Sequence, residues 1–291
     1  MSKLIVVSNR VTPPEKGESA AGGLSVALAA ALRQYSGIWF GWSGRTVPTF
    51  TGEATLANVD GVTTATIDLE EADYQEYYNG YANGTLWPLF HYRIDLTAYD
   101  RSFGQGYERV NRRFAESLAP FIEPDDVVWV HDYHLIPLAA ALRRLSVTQP
   151  LGFFLHTPFP AAELLRLVPN HRDLASAFCA YDLVGFQTAS DLHGFRDYLT
   201  RFAGAEDLGG GQLRAFGRTL RAAVFPVGID VATVAAQAEA AERSRHWRRL
   251  EDSIGPRSLM IGVDRLDYSK GLEARFEAIE RRLYRLVHAP R

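Results

Sequence analysis

The segment 127–134, VVWVHDYH, constrains the fold of this chain more than any other part of the sequence. Its four consecutive apolar residues follow the turn 124–126 and predict a strand that is buried on both faces. The apolar positions between Leu135 and Leu145 then have helical spacing. A buried strand that runs directly into a helix is one step of a parallel α/β sheet, in which ligands bind beyond the carboxyl ends of the strands. Three ionisable residues lie at that end: His131, Asp132 and His134.

The same strand-to-helix step recurs along the chain and predicts an α/β fold with a Rossmann-like parallel sheet. Further buried strands are predicted at residues 4–7, 37–42, 63–67, 151–155 and 182–187, with helices at 24–35 and 106–118 and a hairpin within 213–227. The best domain boundary is the segment 226–230. Residues 1–228 are therefore expected to form one domain. Residues 229–291 contain a long helix, a strand at 259–263 and a helix from Leu272, which is only the beginning of a second Rossmann-like domain.

Composition narrows the class of protein. The chain has 291 residues, of which 47% are hydrophobic and 22% charged, and its net charge of −3 favours neither a nucleic-acid partner nor a membrane surface. The single cysteine, Cys179, excludes an internal disulfide and fits a reducing compartment. The apolar run after Met1 is too short for a signal peptide, and no run is long enough to span a membrane. We therefore expect a cytoplasmic protein.

Both predicted domains contain residues that can bind phosphate. Arg10 follows the first strand, and Gly22-Gly23 opens the next helix, where backbone N–H groups attract phosphate. A glycine pair before a helix is also common in ordinary turns, and both interpretations remain open. Arg265 and Lys270 share one loop between a strand and a helix, where two cations can converge on a diphosphate. The alternative for this pair is two solvated surface charges.

The central strand end also allows two interpretations. Asp132 can bind a substrate hydroxyl or act as a base, or it can cap the following helix. The neighbouring histidines are metal-ligand types, but their side chains need not converge at a strand end, so we expect no metal site. An aromatic cluster at residues 74–92 is either a core beneath a long loop or a platform on which a sugar ring stacks.

Six blocks in order closely resemble the trehalose-6-phosphate synthase family of retaining glycosyltransferases. The blocks are Ser8-Asn9-Arg10, Gly22-Gly23-Leu24, 87–92 (WPLFHY), 129–134 (WVHDYH), 156–160 (HTPFP) and 265–271 (RLDYSKG). The resemblance covers residues 3–283. It implies the GT-B architecture of two facing Rossmann-like domains, and transfer of glucose from UDP-glucose to glucose 6-phosphate without a metal or other cofactor.

The resemblance also implies roles for individual residues. Arg10, Tyr78 and Asp132 would bind glucose 6-phosphate in the first domain. The donor UDP-glucose would be bound by four residues: Gly22, Gly23, Arg265 and Lys270. Trp87 and His156 would shape the outcome at the anomeric carbon together with Asp132, and the leaving diphosphate would help to deprotonate the acceptor.

The family continues well beyond residue 291, so we expect the chain to be a truncation or the product of a reading-frame error. Two alternatives follow. One is a related GT-B transferase with another donor or acceptor. The other is a non-catalytic fragment that binds sugar phosphate or pairs with a full-length subunit. The sequence leaves open the nucleotide of the donor and whether the chain forms a homo-oligomer.

Overall fold

Ten strands lie side by side in one sheet of the computed structural model, which describes residues 3–11, 32, 37–59 and 61–288. In chain order they are β1 (Leu4–Arg10), β2 (Ile38–Val47), β3 (Thr55–Val59), β4 (Val62–Glu70), β5 (Val127–His131), β6 (Leu151–Leu155), β7 (Leu183–Phe186), β8 (Glu206–Gly209), β9 (Gln212–Ala215) and β10 (Arg218–Val224). Their order across the sheet is β3-β4-β2-β1-β5-β6-β7-β10-β9-β8. Seven neighbouring strands of this sheet are parallel to one another: β4, β2, β1, β5, β6, β7 and β10. The strand β3 at one edge and the strands β9 and β8 at the other are antiparallel to their neighbours. The predicted α/β class with a parallel sheet is confirmed.

The strand order reverses at the centre of the sheet. From β1 the chain proceeds to β2 and β4 on one side, and returns to β5, β6 and β7 on the other. Val7 of β1 pairs with Val130 of β5, so the carboxyl ends of these two strands are neighbours. Such a reversal opens a crevice between strand ends, where α/β proteins bind ligands. Arg10 and Asp132 lie on the two sides of this crevice.

Helices cover one face of the sheet and build a continuous core. They are α1 (Arg101–Leu118), α2 (Leu138–Arg144), α3 (His171–Phe178) and α4 (Ala189–Ala203). The face of β5 and β6 that they cover carries Val128, Val130 and Phe153, all almost fully buried. The helix after β5 begins later than the sequence predicts, because a 3₁₀ turn at Tyr133–Leu135 and Pro137 precede Leu138.

A continuous helical segment occupies the aromatic region, where one of the two interpretations assumed a long loop. It runs through Glu71–Asp73, a π-helical stretch at Tyr74–Leu86, and Trp87–Phe90. Asp73 is fully buried and its carboxylate pairs with Arg109 Nε at 2.8 Å and with the Arg113 guanidinium. These ion pairs fix the segment against α1.

The chain divides into two compact units, Met1–Val227 and Gly228–Arg291. The second unit contains α5 (Val231–Glu242), α6 (Arg245–Ile254) and α7 (Leu272–His288). Ser244 caps α6 and separates it from α5, where one long helix was predicted. The predicted strand at residues 259–263 is wrong: this segment has no regular structure, because the described part of the unit supplies no strand to pair with it. No residue between 228 and 283 is buried.

Among the described helices, none is both long and apolar enough to cross a membrane.

Candidate functional site

A cavity of about 290 Å³ opens beside the carboxyl ends of β1 and β2. Arg10 and Tyr78, for which the family resemblance implies one ligand, both line it. The other lining residues are Trp42, Gly44, Thr46, Glu71 and Tyr74. Arg10 is exposed to solvent at the end of its strand. Its guanidinium lies over Gly44, where a Cβ would be only 2.6 Å from Arg10 Nε. The cavity thus combines a cation with aromatic walls, which suits an anionic ligand that carries an apolar face.

Stacked rings hold Tyr78 in the wall of this cavity. Its ring lies 5.5 Å from that of Tyr74 and 5.7 Å from that of His134, nearly parallel to both. Tyr77 and Tyr81, on the other side of the helical segment, are fully buried. Part of the aromatic cluster is therefore core and part of it faces a cavity, whereas stacking on a sugar ring stays a prediction.

Asp132 has a strained backbone at the other side of the crevice. Its φ of 72° and ψ of 166° fall in a region that is nearly restricted to glycine and costs about 1–3 kcal/mol. Its N–H donates to Phe154 O at 2.8 Å, and its Oδ1 accepts from the N–H groups of Tyr133 at 3.0 Å and His156 at 3.3 Å. Asp132 thus caps the short 3₁₀ turn Tyr133–Leu135, and the helix α2 has Pro137 at its N-cap instead.

Burial sets the protonation of the site. It raises the pKa of Asp132 to about 6, although the N–H groups of Tyr133, His156 and Thr157 act in the opposite direction. Burial also lowers the pKa of His131 and of His134 to about 3, and that of His156 to about 4. All three histidines are consequently neutral near pH 7. His131 Nδ1 lies 3.0 Å from His156 Nε2.

Trp87 lies at the end of the same aromatic row. Its ring is 5.6 Å from that of Tyr133, which in turn is 4.0 Å from that of His134. The Tyr133 hydroxyl donates to Asn83 Oδ1 at 2.8 Å. The row therefore connects Trp87, through Tyr133 and His134, to Tyr78 in the cavity wall.

The predicted donor residues are divided between two parts of the chain. Gly22 and Gly23 lie outside the described residues. Arg265 and Lys270 are exposed in one loop of the second unit. Burial raises the pKa of Asp267 in that loop, but bonds from Ser269 and the charges of Arg265 and Lys270 lower it below its usual range. Arg265 and Lys270 thus both lie near the Asp267 carboxylate, and their convergence on a diphosphate stays a prediction.

No three His, Cys, Asp or Glu side chains are grouped as metal ligands in the part of the chain that the structure describes. His131 contacts His156, whereas His134 stacks on Tyr78, so these two histidines do not face a common point. Sequence reasoning missed Gly44 and Glu71 as cavity residues. The signal that could have found Gly44 is its place just after the predicted strand 37–42, at the same sheet edge as Arg10.

Comparison with known proteins assigns the family. A sequence profile of glycosyltransferase family 20 matches residues 2–288. The chain belongs to glycosyltransferase family 20. It is similar to the trehalose-6-phosphate synthase of Sinorhizobium fredii, with 50% identity over 288 residues that cover 97% of this chain and 61% of the relative. That of Cronobacter sakazakii is 44% identical over 282 residues, 96% of this chain and 59% of the relative.

Solved structures of the family agree with the fold. A UDP-forming α,α-trehalose-phosphate synthase from Burkholderia xenovorans, in complex with glucose-6-phosphate, matches with a TM-score of 0.92 and 49% identity over 97% of this chain and 62% of that one. The Escherichia coli protein bound with UDP-2-fluoro glucose matches with a TM-score of 0.88 and 40% identity over 95% and 60%. These likenesses confirm the predicted GT-B class. The family 20 chain described here spans about 60% of the length of these relatives.

Proposed function

We propose that this family 20 chain carries the acceptor site of a retaining glucosyltransferase that moves glucose from UDP-glucose to glucose 6-phosphate and forms α,α-trehalose 6-phosphate. The observation that carries the proposal is the cavity in which Arg10 and Tyr78 meet, next to the reversal of strand order. Relatives of 40–50% identity are named for this synthesis, and one is solved with glucose-6-phosphate.

Each residue of the crevice has a part in this proposal. The Arg10 guanidinium binds the acceptor phosphate by charge-assisted hydrogen bonds, and Tyr78 packs on the sugar ring. Asp132 accepts from a sugar hydroxyl through its carboxylate, which the N–H groups of Tyr133 and His156 hold at the end of β5. Trp87 and His156 line the approach to the anomeric carbon.

The donor side of the reaction is assigned to the second unit. Arg265 and Lys270 bind the diphosphate of UDP-glucose, and Gly22-Gly23 supplies backbone N–H groups. The two cations stabilise negative charge as the diphosphate leaves. A diphosphate oxygen then takes the proton of the attacking acceptor hydroxyl on the same face of the sugar, so that configuration is retained without an enzyme nucleophile.

Turnover is the test of this proposal. Residues 1–288 would be joined to the remaining C-terminal part of the Sinorhizobium fredii relative, and UDP release would be measured with glucose 6-phosphate and with glucose. We expect UDP release that depends on glucose 6-phosphate. Equal rates with both acceptors would contradict the phosphate-binding role of Arg10. Replacing UDP-glucose by ADP-glucose or GDP-glucose tests the alternative of another donor.

One observation favours a second candidate, a sugar-phosphate-binding chain without turnover. No residue between 228 and 283 is buried, and Phe276 and Leu283 of α7 are more than half exposed. A donor-binding domain needs a packed core to hold its loops. If the 291-residue chain binds glucose 6-phosphate but releases no UDP, this second candidate describes it.

A further inference from the structure

His131 is a buried residue that the proposed chemistry does not use. It ends β5, its side chain is almost fully enclosed, and its ring packs against Trp129 with 4.3 Å between ring centroids. Its Nδ1 lies 3.0 Å from Nε2 of His156. His156 is only half-buried, and no residue that the structure describes hydrogen-bonds its Nδ1. The two rings thus form a pair in which one member is enclosed and the other is partly exposed at the carboxyl end of β6.

The surroundings of His131 decide which ring donates the shared proton. A neutral imidazole carries one proton, on either nitrogen. If His131 accepted at Nδ1, its proton would lie on Nε2, and that atom is buried without a hydrogen-bond partner among the described residues. A buried N–H without a partner is rarer in proteins than a buried lone pair without one. His131 therefore carries its proton on Nδ1 and donates it to His156.

We propose that His131 is a positioning residue, whose Nδ1–H donates to His156 Nε2 and so holds His156 in the form that carries its proton on Nδ1. His156 then presents a neutral N–H donor to a hydroxyl oxygen of a bound sugar. This role rests on the proposed function, because it requires a sugar in the crevice. The His156 backbone N–H donates to Asp132 Oδ1 at 3.3 Å, so His156 lies beside the carboxylate that is assigned to the acceptor sugar.

The same arrangement keeps His156 uncharged. A second proton on His156 would have to enter between its Nε2 and the Nδ1–H of His131, where two donors would face each other. Burial acts in the same direction and lowers the pKa of His156 to about 4. His156 is thus a hydrogen-bond donor near neutral pH and does not act there as a charged acid.

Two substitutions of His131 separate donation from packing. In His131→Asn the side-chain amide N–H occupies the place of Nδ1–H and keeps a donor. In His131→Leu the donor is lost while an apolar side chain of similar size fills the site. Both would be made in the 291-residue chain, with the histidines labelled with ¹⁵N. Two-bond ¹H–¹⁵N correlation spectra then show which ring nitrogen carries the proton, and the His156 signals are assigned by their loss in His156→Gln.

We expect the His156 proton on Nδ1 in the wild-type chain and in His131→Asn, and mainly on Nε2 in His131→Leu, since Nε2 is the form that free neutral histidine prefers. A wild-type His156 that carries its proton on Nε2 would overturn the proposal, even if the leucine variant did not fold. An unchanged His156 in a folded His131→Leu would overturn it as well.

Turnover tests the role toward substrate in the joined enzyme described above. The kcat/KM for UDP release should fall about tenfold in His131→Leu, the size of one lost hydrogen bond, and recover in His131→Asn. Equal values in all three proteins would overturn the substrate role. The position of the proton is read without turnover, so absent UDP release in every protein, wild type included, would count against the proposed function instead.

Discussion

Asp132, at the carboxyl end of β5, has both a strained backbone and a buried carboxylate. Its positive φ costs free energy, and its carboxylate is held where burial raises the pKa to about 6. The usual pKa of an aspartate in the unfolded chain is about 3.9. Ionised Asp132 therefore destabilises the folded state at pH 7, and stability lost at one residue in this way is typical of a functional position.

We expect Asp132→Asn to raise the free energy of unfolding at pH 7 by about 1–2 kcal/mol, a value reduced for partial solvent screening. Asparagine caps helices as well as aspartate and tolerates positive φ. The same change should reduce glucose 6-phosphate binding, because an amide replaces the charged acceptor. Urea unfolding and calorimetric titration measure the two effects.

Asp126→Asn is the matched control for this prediction. Asp126 is buried too, but its two oxygens accept from the N–H groups of Lys3 and Glu123, each at 2.9 Å. An asparagine has one acceptor oxygen and would leave one of these N–H groups facing a donor. Asp126→Asn should therefore destabilise the fold. A loss of stability in Asp132→Asn like that in Asp126→Asn would contradict the argument that the ionised, buried Asp132 carboxylate destabilises the folded state.

At the scale of elements, the helical segment from Glu71 to Phe90 determines the cavity wall. It carries Tyr74 and Tyr78, and it is joined to α1 by ion pairs of Asp73 with Arg109 and Arg113. Removing one member of a buried ion-pair cluster leaves the other charges without compensation. The stability of this segment should consequently depend on Asp73 more than on any exposed ion pair.

Asp73→Asn should lower the free energy of unfolding by about 3 kcal/mol, measured by urea denaturation. Glu206, which pairs with Arg214 at 2.9 Å on the surface, supplies the control, and Glu206→Gln should leave stability unchanged. Similar losses in the two variants would show that burial of Asp73 does not contribute as argued.

The elements also show what a sequence can and cannot predict. The strands β5 and β6 were predicted because each is an uninterrupted apolar run. The helical segment was missed, although its tyrosines at 74, 77, 78 and 81 have helical spacing, because Asn79-Gly80 and Asn83-Gly84 resemble turn signals. Gly80 is there for packing: a Cβ on it would be 2.5 Å from the Phe103 ring.

Long-range packing explains the remaining differences. The segment 259–263 has the composition of a strand, but a strand forms only beside a partner. Within the site, Arg10 and Asp132 lie in motifs of the sequence, and Tyr78 was assigned through the family resemblance. The fit of Arg10 over Gly44 could not, because it depends on how the ends of β1 and β2 approach each other.

At the scale of the whole molecule, three neutral histidines make stability depend on pH. The pKa values of His131, His134 and His156 lie at about 3 to 4 in the folded protein, below the value of about 6.5 in the unfolded chain. The unfolded chain therefore binds more protons as pH falls below 6.5. Asp132 acts in the opposite direction, since its folded pKa of about 6 is raised. Because three histidines act against one aspartate, the free energy of unfolding should decrease as the pH is lowered.

We expect the free energy of unfolding to decrease steadily from about pH 6.5 toward pH 4, with each such histidine contributing about 1.4 kcal/mol per pH unit. Urea unfolding at several pH values measures the slope. His131→Leu should reduce the slope, whereas His193→Gln, at an exposed position, should not. Stability that stays constant over this range would contradict neutral burial of the three rings.

The central claim, a glucose 6-phosphate site formed by Arg10 over Gly44, is tested most directly by calorimetric titration of the 291-residue chain. Gly44→Ala places a Cβ against the Arg10 guanidinium. Gly61→Ala is its control, because Gly61 has a similar positive φ and its added Cβ would have no atom of the described residues beyond its chain neighbours within 4 Å. We predict that the chain binds glucose 6-phosphate more tightly than glucose, and that Gly44→Ala, but not Gly61→Ala, weakens this binding at least about tenfold. Equal affinity for glucose 6-phosphate and glucose would contradict the proposed site. Unchanged binding of glucose 6-phosphate by Gly44→Ala would contradict it as well.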